Sequence, residues 1–175
     1  MTNDGIENAI KLGERLKDVE FTHIYSSPLQ RAMETANYIK GNRDIEIQTL
    51  EEIKEMGFGL WEGLENEELI ELYKEDHYNY WNRPELYKPN GGETFDEFFK
   101  RIKSSLNYIF ENSKEGNILI VSHGVAIKTM FAIINETKLE DFWLDTYVEG
   151  TSLSILEVKD KNLEFKLKGD TSHLR

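Results

Sequence analysis

Two short segments of this chain carry residue types suited to an anion. In Tyr25-Ser26-Ser27-Pro28-Leu29-Gln30-Arg31, an apolar stretch runs into a helix start with Arg31 in its first turn. In Val121-Ser122-His123-Gly124 the same change occurs, with His123 at the junction. Ligands of open α/β sheets bind beyond the carboxyl ends of the strands, where helix N-termini point. A guanidinium there grips phosphate or carboxylate oxygens as a planar fork, and an imidazole exchanges a proton near neutral pH. Taken singly, each junction has an ordinary explanation: a solvated surface arginine and a hydrogen-bonded structural histidine. Metal chemistry fits poorly, because the chain has no cysteine and its four histidines lack ligand spacing. His23, His77 and His173 have no partner pattern and are expected at the surface or in packing. Trp61, Trp81 and Trp143 are expected in core or lid packing.

The elements that must position these residues alternate between helix and strand. A helix is predicted over 3–17, where Ile6, Ala9, Ile10, Gly13 and Leu16 recur at three and four. A short strand follows over 21–26, and Pro28 is expected to open the next helix with Ser27 as its N-cap. That helix should carry Leu29, Ala32, Met33, Ala36 and Ile39 inward and stop near Gly41, before a half-buried strand over 45–49. A turn-rich segment over 57–63 leads to a helix over about 65–74. Residues 76–93 hold two of the three prolines and Gly91-Gly92, which reads as a loop or lid. Thr94-Phe95-Asp96-Glu97 is a capping box before a long apolar periodic run, so Thr94 is explained as a cap. Asn117–Val121 reads as a strand buried on both faces, as in a parallel sheet. A helix to Asn135 follows, then strands over 153–158 and 163–167 joined by an Asp160-Lys161-Asn162 turn. The order implies a three-layer α/β sandwich with a mostly parallel central sheet flanked by helices, in a single domain over 1–175.

With 175 residues the chain suits one core rather than two. Its net charge of −12 argues against nucleic acid and anionic membrane as partners, since both require a basic footprint. No apolar run approaches membrane-spanning length, and neither a basic start nor an apolar stretch suggests a signal peptide. Together with the lack of cysteine, these features make a cytoplasmic location the expectation. A pocket for a phosphorylated small molecule remains open, because it depends on local cations.

The strings SSPLQRAMETA, EMGFGLWEG, GGET, VSHG and GDTSHL occur here in one order, and together they resemble the histidine phosphatase (phosphoglycerate-mutase-like) superfamily. The resemblance spans essentially the whole chain. It implies that Arg31 clamps phosphoryl oxygens and that His123 hydrogen-bonds the phosphoryl group. Ser27 and Gly124, in the same motifs, join them as substrate-binding residues. It also implies that Glu55 is the general acid, with Glu51 and Glu52 close enough to compete for that role, while Glu62 is read as a structural or rim residue. No cofactor is implied, since arginine and histidine side chains supply the positive charge. The partner implied is a phosphorylated small molecule or inorganic phosphate, and a homo-oligomer remains open.

Members of this superfamily open with a strand ending in Arg-His-Gly, whose histidine is the nucleophile. No Arg-His-Gly occurs in these 175 residues. The expectation is therefore an N-terminally incomplete domain whose first strand, nucleophile and first pocket arginine lie upstream of Met1. Three accounts follow: a shortened view of a working phosphatase, a paralogue that binds phosphoesters or a protein without turnover, or a fragment without independent function. The short stretch from Glu55 to His123 favours a phosphomonoesterase acting through a phosphohistidine. An α-ribazole-type phosphatase ranks second and a phosphoglycerate mutase third.

Overall fold

The computed structural model describes residues 1–160 and 162–175. Phe21–Ser26 forms β1, Ile47–Thr49 forms β2 and Asn117–Val121 forms β3; these three pair in parallel in the order β2-β1-β3. Leu153–Lys159 (β4) and Asn162–Asp170 (β5) form a separate antiparallel pair. Parallel neighbours need crossovers, and here helices provide them. The helices are α1 (Asn3–Arg15), α2 (Gln30–Lys40), α3 (Asn66–Leu72), α4 (Lys74–Asn82), α5 (Phe95–Asn112) and α6 (Gly124–Ile134).

Strand alternation sends side chains into two apolar layers, one on each face of the parallel sheet. Ile24, Leu119 and Val121 pack with Leu12, Leu16, Ala32, Ala36 and Ile39 of α1 and α2. Tyr25, Ile118 and Ile120 face the other way, against the layer that contains Phe98, Ile102, Leu106 and Ile109 of α5 and Ala126 and Met130 of α6. The protein is therefore a three-layer α/β structure with a parallel sheet between helices. Gly13 lets α1 approach α2 closely, since a Cβ there would stand 2.7 Å from the Tyr38 carbonyl oxygen.

Several expectations need correction. Helix α2 begins at Gln30 rather than Pro28, and Ser27 does not cap it; Leu29 holds the N-cap position without a side-chain bond. The Ser27 hydroxyl is instead engaged at the site described below. β2 begins two residues later than expected, at Ile47. β3 is not fully buried on both faces, because Ile118 and Ile120 keep partial exposure. The region 76–93 is not a loop throughout: α4 occupies Lys74–Asn82, after a break at Tyr73. Its aromatic residues supply the packing that composition alone did not reveal. Tyr80 is buried with ring centroids of Trp61, Tyr87, Phe95 and Trp143 between 5.0 and 5.8 Å away. Such tertiary contact stabilises a short helix that would be marginal alone. The two closing strands form as expected and extend further, while Lys161 of the expected turn lies outside the described residues. The capping box at α5 is present, with Thr94 Oγ1 accepting from Glu97 N and Glu97 accepting from Thr94 N.

Candidate active site

The register of β1 on β3 places Ser26 beside Val121, so both strands end at the same level. The chain leaves β1 through Ser27, whose N–H donates to the Val121 carbonyl at 2.9 Å, and leaves β3 through Ser122 and His123. This brings α2 and α6 to a common edge by their N-terminal ends. Arg31 Nε donates to His123 Nδ1 at 3.1 Å, and His123 Nε2 lies 2.7 Å from Ser27 Oγ. Since Nδ1 is the acceptor, Nε2 carries the proton and donates it to the serine oxygen. The Ser27 oxygen also accepts from Leu29 N at 3.3 Å.

His123 is 6% exposed, and its pKa is lowered from 6.5 to about 4. Burial is the main cause, followed by the charges of Arg31 and Arg101. The imidazole is thus neutral at pH 7 with both nitrogens engaged. Arg31 itself is exposed, and among the described residues its side chain bonds only through Nε, which leaves its terminal Nη donors available. Ser27 is completely buried, so it orients His123 from behind rather than facing a ligand. Gly124 is the first residue of α6 and presents its N–H at the helix N-terminus.

Glu55 reaches the same helix end from the loop after Ile53. Its Oε2 accepts from Val125 N at 3.3 Å, and its Oε1 accepts from Ala126 N at 3.2 Å and from its own neighbour Met56 N at 3.0 Å. The loop is tied down by Ser122 Oγ donating to the Ile53 carbonyl at 2.7 Å and Leu50 N donating to the Ser26 carbonyl at 3.0 Å. Burial pushes the Glu55 carboxyl above the ordinary carboxylate value, against the opposing pull of three backbone N–H groups and the Arg31 charge. A carboxyl that keeps its proton longer than usual beside an arginine and an imidazole is equipped to donate to a leaving oxygen.

Arg31, Ser27, His123, Gly124 and Glu55 therefore gather at one edge. Glu51 pairs with Lys54 and Glu52 is exposed, and the N–H groups of Val125 and Ala126 take the Glu55 carboxylate as their side-chain partner. Glu62 Oε1 accepts from Phe58 N, a local turn bond. The other histidines lie elsewhere: His23 bonds Thr22, His77 bonds Asn66, and His173 meets Arg15 and the Thr151 carbonyl. Among the described residues no cluster of three His, Asp or Glu could hold a metal ion. No described helix is long and apolar enough to cross a membrane. Arg101 was not singled out from the sequence, although a charged residue between Phe98 and Ile102 on a buried helix face is a signal of a buried partner. That partner is Glu93.

Comparison with known proteins identifies similar sequences and structures. The family model described as histidine phosphatase superfamily (branch 1) matches residues 1–171. The chain is 28% identical to Phosphoserine phosphatase 1 of Hydrogenobacter thermophilus, over 99% of this chain and 82% of the relative. It is 30% identical to the Adenosylcobalamin/alpha-ribazole phosphatase of Escherichia coli K12, over 82% of this chain and 70% of the relative. Among solved structures, Bacillus stearothermophilus YhfR superposes with a TM-score of 0.95 at 35% identity, covering 100% of this chain and 87% of that one.

Proposed function

The chain belongs to the histidine phosphatase superfamily, and on that footing we propose that it forms the phosphate-binding and proton-donating part of a phosphomonoesterase acting on a small phosphorylated metabolite. The observation that carries this reading is the convergence of Arg31, His123 and Glu55 at the N-terminus of α6. Arg31 Nη groups take two phosphoryl oxygens, and the α6 N-terminus and His123 take charge that develops on a third. The phosphoryl group passes to the nitrogen of a nucleophilic imidazole as the ester P–O bond breaks, and Glu55 gives its proton to the leaving oxygen. Water then attacks the phosphohistidine, Glu55 takes up the water proton, and inorganic phosphate departs with the imidazole restored.

His123 is held between Arg31 and Ser27, and His23, His77 and His173 make their contacts elsewhere, so in this reading none of them serves as the nucleophile. The nucleophile is then a histidine outside these 175 residues, beside β3, the edge strand of the parallel sheet among the described residues. Phosphoserine and α-ribazole phosphate are the first substrates to try, because relatives are phosphatases of those names. A phosphoserine phosphatase variant from Entamoeba histolytica, 27% identical, has been solved in complex with phosphoserine. The test is to expose the protein from its natural source to [32P]phosphoserine and p-nitrophenyl phosphate and map any acid-labile label. Label on a histidine outside this sequence, lost with Arg31→Ala, is the expected result. Turnover with label on His123, or turnover unaffected by Arg31→Ala, contradicts the reading.

A second reading has support in the same engaged imidazole: the chain binds phosphoesters and does not hydrolyse them. It predicts saturable binding of inorganic phosphate by the 175-residue chain in calorimetry, with no release of p-nitrophenol.

A further inference from the structure

The Gly91-Gly92-Glu93-Thr94 motif contains a carboxylate that the reading above leaves without a role. Glu93 forms a two-pronged pair with Arg101 of α5, Arg101 Nε donating to Oε1 at 2.8 Å and Nη2 to Oε2 at 2.6 Å. The pair does not stop there. Arg101 Nη1 donates to the carbonyls of Glu52 at 2.7 Å and Lys54 at 3.1 Å, and Nη2 donates to that of Glu55 at 3.3 Å. Glu93 Oε2 accepts from Gly57 N at 2.8 Å, and Gly57 O accepts from Glu93 N at 2.8 Å. One ion pair thus holds the backbone on both sides of Glu55, from residue 52 to residue 57.

The surrounding chain is shaped to permit this. Gly59 has φ +59°, and a Cβ on it would stand 2.3 Å from the Asn90 carbonyl oxygen; a Cβ on Gly92 would stand 2.4 Å from the Gly57 oxygen. The two loops therefore touch backbone to backbone. Arg101 is fixed in turn by α5, where its guanidinium lies 4.7 Å from the Phe98 ring centroid, and Phe98 is fully buried. Only a guanidinium offers enough rigid donors to serve a carboxylate and three carbonyls together; a lysine ammonium has three donors on one atom.

We propose that Glu93 and Arg101 are positioning residues for Glu55, clamping its loop so that the carboxyl stays pressed on the N–H groups of Val125 and Ala126. The proposal rests on the reading of Glu55 as the site's proton donor. Without the clamp the loop relaxes, the carboxyl gains water, and its contact with α6 becomes intermittent. The clamp acts through backbone geometry, so keeping a positive charge at position 101 does not restore it.

The test uses the protein at its natural length, with Arg101→Lys and Glu93→Gln. Two quantities are followed by NMR: the titration midpoint of the Glu55 side-chain carboxyl, and amide hydrogen exchange. Exchange at Val125 and Ala126 should rise at least about tenfold in Arg101→Lys, while amides in the middle of α5 and β1 keep wild-type rates. The Glu55 midpoint should fall toward the ordinary carboxylate value. Glu93→Gln should shift both in the same direction by less, since the amide oxygen still accepts from Gly57 N, and it carries the test if Arg101→Lys fails to fold. Wild-type exchange at Val125 and Ala126 with an unmoved Glu55 midpoint, in a folded variant, overturns the proposal. So does a rise in exchange spread evenly over the chain, which marks general destabilisation. Failure of the proton-donor reading looks different: turnover by the natural phosphatase survives Glu55→Gln, while the two amides still loosen in Arg101→Lys.

Discussion

If the anion site is built as described, its affinity for a dianion depends on a proton that His123 lacks when the site is empty. With no anion bound, Arg31 Nε occupies Nδ1 and holds the imidazole pKa down, together with burial, at about 4. A dianion draws the Arg31 guanidinium to itself and rewards a second proton on the ring, so His123 titrates at a higher pH when the anion is bound. Binding is then strongest below about pH 4, weakens as pH rises toward the bound-state pKa, and levels off above it. Restoring the ordinary value of 6.5 from about 4 corresponds to about 3 kcal/mol at 1.36 kcal/mol per unit, or roughly 300-fold in affinity. Arg31 is exposed to water, which screens part of that coupling, so about half is expected: roughly a 20-fold fall in affinity. Sulfate is the probe, because it keeps its charge across the range, and calorimetry between pH 4.5 and 7 is the assay. Burial also raises the Glu55 pKa, so the slope must be measured in Glu55→Gln, which removes that titration and leaves His123 beside Arg31, while the Glu93 carboxyl is held below its ordinary range by Arg101. In Glu55→Gln/His123→Gln the slope should vanish. A slope that persists in the double variant refutes the assignment of the proton to His123.

Two other outcomes follow from the same structure. His123 is neutral in the fold and has its ordinary pKa when unfolded, so the unfolded chain takes up a proton first as pH drops; stability present above pH 6.5 is lost as pH falls toward about 4. Urea midpoints between pH 7 and 5 should decline in the wild type and decline less in His123→Gln; equal slopes would contradict the neutral imidazole. Gly59→Ala should destabilise the fold by about 1–3 kcal/mol, because the position has φ +59° and no room for a Cβ beside Asn90. An unchanged Tm in differential scanning calorimetry would show that the two loops part without cost.

The residues at the strand ends were legible because their chemistry and their placement share one segment of sequence. A strand that runs into a helix fixes where Arg31 and His123 lie, whatever else the fold does. Glu55 was reached only through resemblance, since nothing in its local spacing distinguishes it from Glu51 and Glu52; the N–H groups of α6 make that distinction, 70 residues away. Arg101 was missed for a related reason. Its partners are three carbonyls and a carboxylate supplied by other segments, and backbone acceptors leave no mark on composition. Helix α4 was read as loop because its sequence, KEDHYNYWN, has weak helical periodicity and its stability comes from Tyr80 in an aromatic cluster. Ser27 was assigned the cap of α2, which local sequence favours, but the distant His123 took its hydroxyl instead.

These protonation preferences form one pattern. Burial raises the pKa of Glu55 and lowers that of His123, so both groups are biased toward their neutral forms in the empty site. A net charge of −12 over the chain would otherwise oppose a phosphorylated ligand at long range. Locally the balance reverses, because a neutral imidazole and a carboxyl with a raised pKa leave Arg31 and the α6 N-terminus less opposed, while Arg101 is paired with Glu93. An incoming dianion favours protonation of both His123 and Glu55: the first becomes a better donor to the phosphoryl oxygens, and the second is kept ready for the leaving oxygen. The same burial that makes charged forms costly in the empty site therefore couples ligand charge to proton uptake. Opening the site by loosening the Glu55 loop should weaken that coupling even if every charged side chain is retained.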